Sequence, residues 1–376
     1  MQRSRSQPQN LVLIGGGHSH AILLRMWQLH TLADVRLKLL SDTEKTPYSG
    51  MLPAHVAGLY SYEETHINLP PLAQRAQAEF YHDQAVGLDL KHKQIFCLKR
   101  PPLTFDKVSI DIGSTPAILT VPGAKDYAIP AKPVSVFLKH WYQFLETVET
   151  TPQQPRNLAI VGGGAGGVEL ALNMQQRLQK MSHQVSIHLF QREKELLLDK
   201  GKWVRQHLKS LLQKRGIQLH LGEAVTDVYP DKVVCDSGLM LETDIIFWVT
   251  QASAPTWIKD SGLATDQRGF ILVNDYLQSI SHPFVFAAGD IATMVNHPRP
   301  KAGVFAVRQG KPLFQNLQRT ILGNPLKPYH PQKNYLSLIG TGDESAIASW
   351  GNLGFHSPLL WRWKDYIDRQ FMTQFD

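Results

Sequence analysis

Two stretches of this chain carry glycines at a spacing that could hold phosphate. In LVLIGGGHSHAILL (residues 11–24) and LAIVGGGAGGVELAL (158–172), an apolar strand runs into glycines and then into a helical apolar period. In a G-x-G-x-x-G turn the first glycine permits the tight bend. The second lets backbone N–H groups approach a pyrophosphate, and the third lets helix and strand pack closely. The second copy supplies all three as Gly162, Gly164 and Gly167. The first supplies Gly15 and Gly17, with His20 in the third place and His18 in the turn itself. His20 either packs against backbone, the plainer reading, or faces a bound nucleotide. One such turn is a weak signal; two, each opening a βαβ unit, point to two dinucleotide sites.

The elements around the turns repeat as well. VRLKLLSD (35–42) supplies a second strand after the first turn, and QVSIHLFQRE (184–193) does so after the second. Each copy is followed by a strand meander. The expected fold class is therefore α/β, with two Rossmann-like three-layer domains. The expected boundaries are a flexible tail over 1–10, a discontinuous first domain over 11–133 and 268–335, a second domain over 155–267, and a C-terminal segment over 336–376.

A chain of 376 residues with 43% hydrophobic content fits two or three globular domains. No apolar run reaches the roughly 18 residues of a membrane span. MQRSRSQPQN lacks the apolar core of a secretion signal, so a cytoplasmic protein is expected. The net charge of +7 suits phosphate ligands or an anionic membrane surface and is too small to argue for nucleic acid. Cys97 and Cys235 form no CxxC pair, which excludes a local redox dithiol. The sixteen histidines show no Cys/His ligand spacing, and His18 with His20 lacks a third ligand, so no metal is expected.

The motifs GGGHSHAILLR, TPYSGMLP, SIDIGSTP, FAAGDIA and RPKAGVFAVRQG are more specific than the glycines. With them the chain resembles flavoproteins of the pyridine nucleotide-disulfide oxidoreductase superfamily, in the branch around type II NADH dehydrogenases. It is most similar there to the flavoprotein module fused ahead of selenide, water dikinase, and it ends near where that module would join the kinase. The resemblance implies FAD in the first domain and NADPH or NADH in the second. FAD would rest on Gly15, Gly17 and His18. Asp42 would take the adenosine ribose, since Ser41 occupies the usual acid's position. Pro47, Tyr48, Ser49 and Gly50 would line the isoalloxazine, Gly113 would give a backbone contact, and Asp290 would bond the ribityl chain. The helix starting near Ala302 and Gly303 would aim its positive end at the flavin pyrimidine edge, with Lys301 adding a full charge. Lys301 could equally be an ordinary surface lysine.

In the second domain the resemblance places NAD(P)H on Gly162, Gly164 and Gly167, with Ala252 in the loop covering the nicotinamide. Gln191 stands where NADH-preferring relatives have Glu, and Arg192 follows it, which favours NADPH. Glu193 could still serve the ribose. Glu169 either delivers a proton near the two rings or is simply an acid at a positive helix end. The catalytic candidates are thus Glu169 and Lys301. Electrons would leave to a quinone or to a selenium or sulfur species, with selenide, water dikinase as a candidate partner. Gly303 and Val304 replace the Ala-Gln pair of the quinone-reducing relatives. A rival of another class is a flavin-holding redox sensor that does not turn over. Leu360, Trp363, Ile367 and Phe371 form a helical stripe that would face the protein body, a dimer partner, the kinase, or a membrane surface.

Overall fold

The computed structural model describes residues 8–116, 121–181, 184–250 and 252–376. Leu11 to Ile14 are buried on both faces, as an all-apolar run in a parallel sheet requires. Their strand, Gln9–Ile14, is the centre of a five-stranded parallel sheet. The spatial order is Val285–Ala287, Lys107–Ile110, Gln9–Ile14, Val35–Ser41, Glu79–His82. A strand from late in the chain thus completes the first domain. The second sheet repeats the plan, with Ile129–Pro130, Ile245–Trp248, Arg156–Val161, Val185–Gln191 and Gln218–Leu221 in that order, also parallel throughout. In both sheets the glycine-ended strand is central, so its turn opens in the crevice at the strands' carboxyl ends.

Helix α1 (His18–Leu29) follows the first turn, α2 (Val134–Thr150) covers the second domain, and α3 (Ala165–Gln179) follows the second turn. Helix α4 (Gly303–Ile321) packs on α1, and α5 (Pro358–Met372) closes the chain. Three expected boundaries move. The first strand already begins at Gln9, whose N–H donates to the Asp34 carbonyl, so the proposed tail is shorter than 1–10; residues 1–7 lie outside the described residues. Ala124, Ala128 and Ile129–Pro130 pack and pair with the second sheet, so the first domain does not run to 133. Ile258 and Leu263 sit in the first core, so the return crossing lies ahead of them and not at 267. Proline-rich composition marks these crossings only to within a dozen residues, because it records a turn and not which sheet receives the chain.

The C-terminal unit is a three-stranded antiparallel sheet (Ser337–Gly340, Ala346–Trp350, Leu353–Ser357) followed by α5. Ser357 caps α5 by accepting from the Leu359 N–H at 3.1 Å, with Pro358 in the first turn. The buried face of α5 is Trp361, Lys364, Asp368 and Phe371, not the expected Leu360, Trp363, Ile367 and Phe371. Only Phe371 is common to both. An ion pair, Lys364 with Asp368, is packed inward and several aromatic side chains point outward, the reverse of what apolar periodicity selects.

Candidate active site

Both glycine turns are shaped by what a side chain would strike. Gly15 has φ +90°, and a Cβ there would lie 2.4 Å from the Asp111 carbonyl oxygen. A Cβ at Gly17 would enter the Asp111 carboxylate at 2.3 Å. In the second turn, a Cβ on Gly167 would come within 1.8 Å of the Gly162 carbonyl, whereas Gly164 faces open space. His20 occupies the matching place in the first turn and replaces close contact with a hydrogen bond. Its Nδ1 is 2.7 Å from the Gly15 carbonyl and its Nε2 is 2.8 Å from Ser109 Oγ. Burial drives its pKa down to about 4, so the ring is neutral. A carbonyl can only accept, so Nδ1 carries the proton and Nε2 accepts from the Ser109 hydroxyl. His20 is therefore a structural pin between helix and sheet.

A cavity of about 450 Å³ opens against the first turn, within the range of small-ligand sites. Of the expected cofactor residues, Gly15, Gly17, His18, Ser41, Asp42, Pro47, Ser49, Gly113, Asp290 and Gly303 line it. Ser41 Oγ donates to the Thr43 carbonyl at 2.8 Å, which leaves exposed Asp42 as the free acid at the end of that strand. Burial lowers the pKa of His18 to about 4, and its Nε2 is buried with no hydrogen-bond partner in the protein. An orphaned acceptor or donor beside bare glycine backbone suits a polar ligand such as a dinucleotide.

Four expected residues are placed otherwise. Tyr48 turns onto Phe371 of α5, with ring centroids 4.4 Å apart; burial and the nearby Asp368 carboxylate push its hydroxyl pKa upward. The Gly50 carbonyl accepts from Lys364 Nζ. Ala302 caps α4 beside a smaller hollow that it shares with Lys301 and Asp290. Lys301 donates to the Ala292 carbonyl and to Thr293 Oγ1, over the Phe270 ring at 4.0 Å, and burial lowers its pKa to about 8. Its ammonium holds a loop and is not aimed into the large cavity, nor is it the exposed lysine of the alternative reading.

Two lysines line the cavity, Lys45 and Lys132, and Lys132 is the one paired with an expected site residue. Its Nζ is 2.9 Å from Asp290 Oδ2 and 3.1 Å from Ser114 Oγ. Burial opposes ionisation of Asp290, yet Lys132 holds its carboxyl below the usual carboxylate range. Gln309 of α4 accepts from the Gly289 N–H at 2.7 Å and fixes the turn that presents Asp290. Asp111, in the SIDIGSTP stretch, has a role of its own. Its carboxylate accepts from the N–H groups of Ser19 (2.9 Å) and His20 (3.2 Å), so a neighbouring strand supplies the missing cap of α1. Burial raises its pKa to about 7. No signal marks either residue, since their partners lie far away in sequence.

In the second domain Gln191 Oε1 accepts from the Gly163 N–H at 3.1 Å, and Arg192 is exposed beside Glu193 at 3.4 Å. Ala252 pairs with Pro116 in a short antiparallel ribbon linking the domains. Trp248 Nε1 and Thr250 Oγ1, at the end of the strand next to the turn, are buried without partners. Glu169 is buried under the C-terminal unit and away from the cavity wall, where it accepts from the Gly340 N–H at 2.8 Å; burial lifts its pKa to about 7. Cys97 and Cys235 are free and lie in separate meanders.

The family model for pyridine nucleotide-disulphide oxidoreductases matches residues 9–310. The chain belongs to that family. It is an FAD-dependent pyridine nucleotide oxidoreductase, and it has no redox-active cysteine pair among the described residues. It is similar to the NADH dehydrogenase-like protein YutJ of Bacillus subtilis (strain 168), 22% identical over 95% of this chain and 99% of that protein. It is also similar to the demethylphylloquinone reductase NdbB of Synechocystis sp., 25% identical over 97% and 92% of the two chains. Its fold matches the sulfide:quinone oxidoreductase of Aquifex aeolicus with a TM-score of 0.80 at 18% identity, covering 98% and 91% of the two chains. The match to NDH2 of Plasmodium falciparum, solved with NADH, has a TM-score of 0.76 at 15% identity and covers 98% and 97%.

Proposed function

We propose that this protein passes electrons from NAD(P)H to a quinone at a membrane surface. The observation that carries the reading is a dinucleotide cavity with no cysteine in its wall, in a chain similar over nearly its whole length to a demethylphylloquinone reductase. Without a dithiol, electrons would leave the flavin directly for the acceptor. FAD, when bound, supplies acceptance of a hydride from the nicotinamide and its onward delivery. The chain's own residues then bind and orient. Gly15, Gly17 and His18 cradle the FAD pyrophosphate, Asp42 takes the ribose, and Asp290 with Lys132 fixes the ribityl chain. The α4 N-terminus, opened at Gly303 against Ser49, supplies positive potential at the flavin edge. Glu169 holds a proton near neutrality behind the second turn.

The membrane part of the reading rests on the outer face of the C-terminal unit. Trp350, Leu353, Phe355, Leu359, Trp363 and Tyr366 are all exposed, six large apolar or aromatic side chains on one small unit. No described helix is long and apolar enough to cross a membrane, so attachment would be at the surface. The same side chains would also serve a homodimer. A selenium or sulfur acceptor, with selenide, water dikinase as partner, rests on motif resemblance alone.

The test is anaerobic mixing of the yellow protein with NADH or NADPH while following absorbance at about 450 nm, then adding menadione. Bleaching followed by recolouring supports the reading. No bleaching with either nucleotide refutes the hydride step, and bleaching without recolouring refutes the quinone. Because Gln191 is held by the glycine turn, exposed Arg192 is the group left for a 2′-phosphate. Arg192→Ala should raise KM for NADPH at least about tenfold more than for NADH; equal effects remove the assignment.

A further inference from the structure

Away from the cavity, three loops of the first domain bring Asp275, His297 and His330 together. Asp275 follows the strand Ile271–Val273, and His297 follows Ala292–Met294. His330 lies on the connection from α4 to the C-terminal unit. One ligand atom from each lies within 4.8 Å of the others. His297 Nε2 is 3.7 Å from Asp275 Oδ1 and 3.1 Å from His330 Nδ1. Nitrogen and oxygen ligands about 2.0–2.1 Å from a tetrahedral zinc stand about 3.3 Å apart, so these three need shift only by about an ångström to share one ion.

The surroundings hold the group in place. Asn296 Nδ2 is 3.3 Å from both Asp275 carboxylate oxygens, an outer contact of the kind that orients metal ligands. The Tyr329 N–H donates to the Asp275 carbonyl at 2.7 Å, so the residue before His330 is tied to the one that offers the carboxylate. Two other histidine pairs meet at similar distances, His207 with His356 at 2.9 Å and His188 with His220 at 3.1 Å. Neither is completed by a third ligand among the described residues. Two imidazoles and a carboxylate, with a half-open side at exposed His330, match the three-ligand-plus-water pattern of zinc.

We propose that Asp275, His297 and His330 bind one Zn²⁺ ion, with water in the fourth position. The ion would staple the connection out of α4 to two loops of the first domain. None of the three residues lines the large cavity, and the proposal does not rest on the hydride reading.

The test uses the full-length FAD-loaded protein, stripped with chelator and titrated with Zn²⁺ by calorimetry and with Co²⁺ by visible absorption. One ion per chain is expected, with cobalt bands of tetrahedral intensity and a rise in Tm, because the ion binds the folded state alone. His297→Ala, His330→Ala and Asp275→Asn should each weaken binding at least about tenfold and erase the Tm rise. His330 is exposed, so His330→Ala keeps its fold and its FAD colour and carries the decisive comparison. His207→Ala should bind like the parent. Absence of one-to-one binding with Zn²⁺ in large excess, unchanged binding in His330→Ala, or equal loss in His207→Ala would each overturn the proposal.

Discussion

Replacing His20 by alanine tests the reading of the first glycine turn. The substitution leaves two buried groups without partners, the Gly15 carbonyl and the Ser109 hydroxyl, now bonded at 2.7 and 2.8 Å. An unpaired buried group costs about 1–3 kcal/mol, and the hydroxyl, which can rotate, sits at the low end. The ring is fully buried, so its removal leaves a void worth about another 1–2 kcal/mol. The sum is about 4 kcal/mol, or about 5 °C in Tm for a chain of this size. Thermal unfolding followed by release of flavin fluorescence measures both stability and FAD retention. His20→Asn should recover about half the loss, because its amide can still reach Gly15 but not Ser109. His20→Gly would copy the second turn but still leave the Gly15 carbonyl and the Ser109 hydroxyl unpaired, so glycine should do no better than alanine. A change in Tm under about 1 °C for alanine, or a glycine variant more stable than the parent, would refute the pin.

The mirror experiment is Gly167→Ala, whose Cβ would stand 1.8 Å from the Gly162 carbonyl and push α3 off its strand. It should cost about 1–3 kcal/mol and abolish reduction by NAD(P)H while the FAD spectrum stays, which stopped-flow absorbance reads directly. Lys132→Met removes the cation that holds the Asp290 carboxyl low. FAD should then bind about tenfold more weakly at neutral pH by equilibrium dialysis, and the acid limb of binding should move to higher pH. Asp111 is raised from 3.8 to about 7 in the folded protein, so the native state holds more protons than the unfolded chain across that interval. Its contribution is complete below about pH 4 and lost as pH rises through 7, on the order of 4 kcal/mol. Glu169, raised from 4.5 to about 7, acts in the same direction. Urea unfolding of the apoprotein should therefore weaken from pH 5 to pH 8, and less steeply in Asp111→Asn.

The parts legible in the sequence are those whose signal is local. An apolar run ending in glycine and continuing at helical spacing can only be a central strand, a turn and a helix, and both copies fold that way. The parts that were not legible depend on distance or on choosing between equal faces. Lys132 and Asp290 are 158 residues apart, and Asp111 caps a helix 92 residues earlier; neither pairing has a periodicity to read. On α5, aromatic residues lie all round the helix, and the buried face carries a lysine and an aspartate whose mutual neutralisation only the packed structure shows. Lys301 was misplaced because a basic residue before a helix that ends near a ligand invites an electrostatic role. Its chain is long enough to bend back to its own loop instead.

The last forty residues contribute to three of the four buried clusters. Phe371 and Phe375 sink into the first core, Ile339 and Ile347 into the second, and Trp361 packs with Met51, Ala54 and Tyr60. The C-terminal unit therefore bridges the two nucleotide domains, in addition to the ribbon of Ala252 and Pro116. Under the proposed function, a bilayer or second subunit resting on that unit would press on a part of the chain packed into the cores of both nucleotide domains.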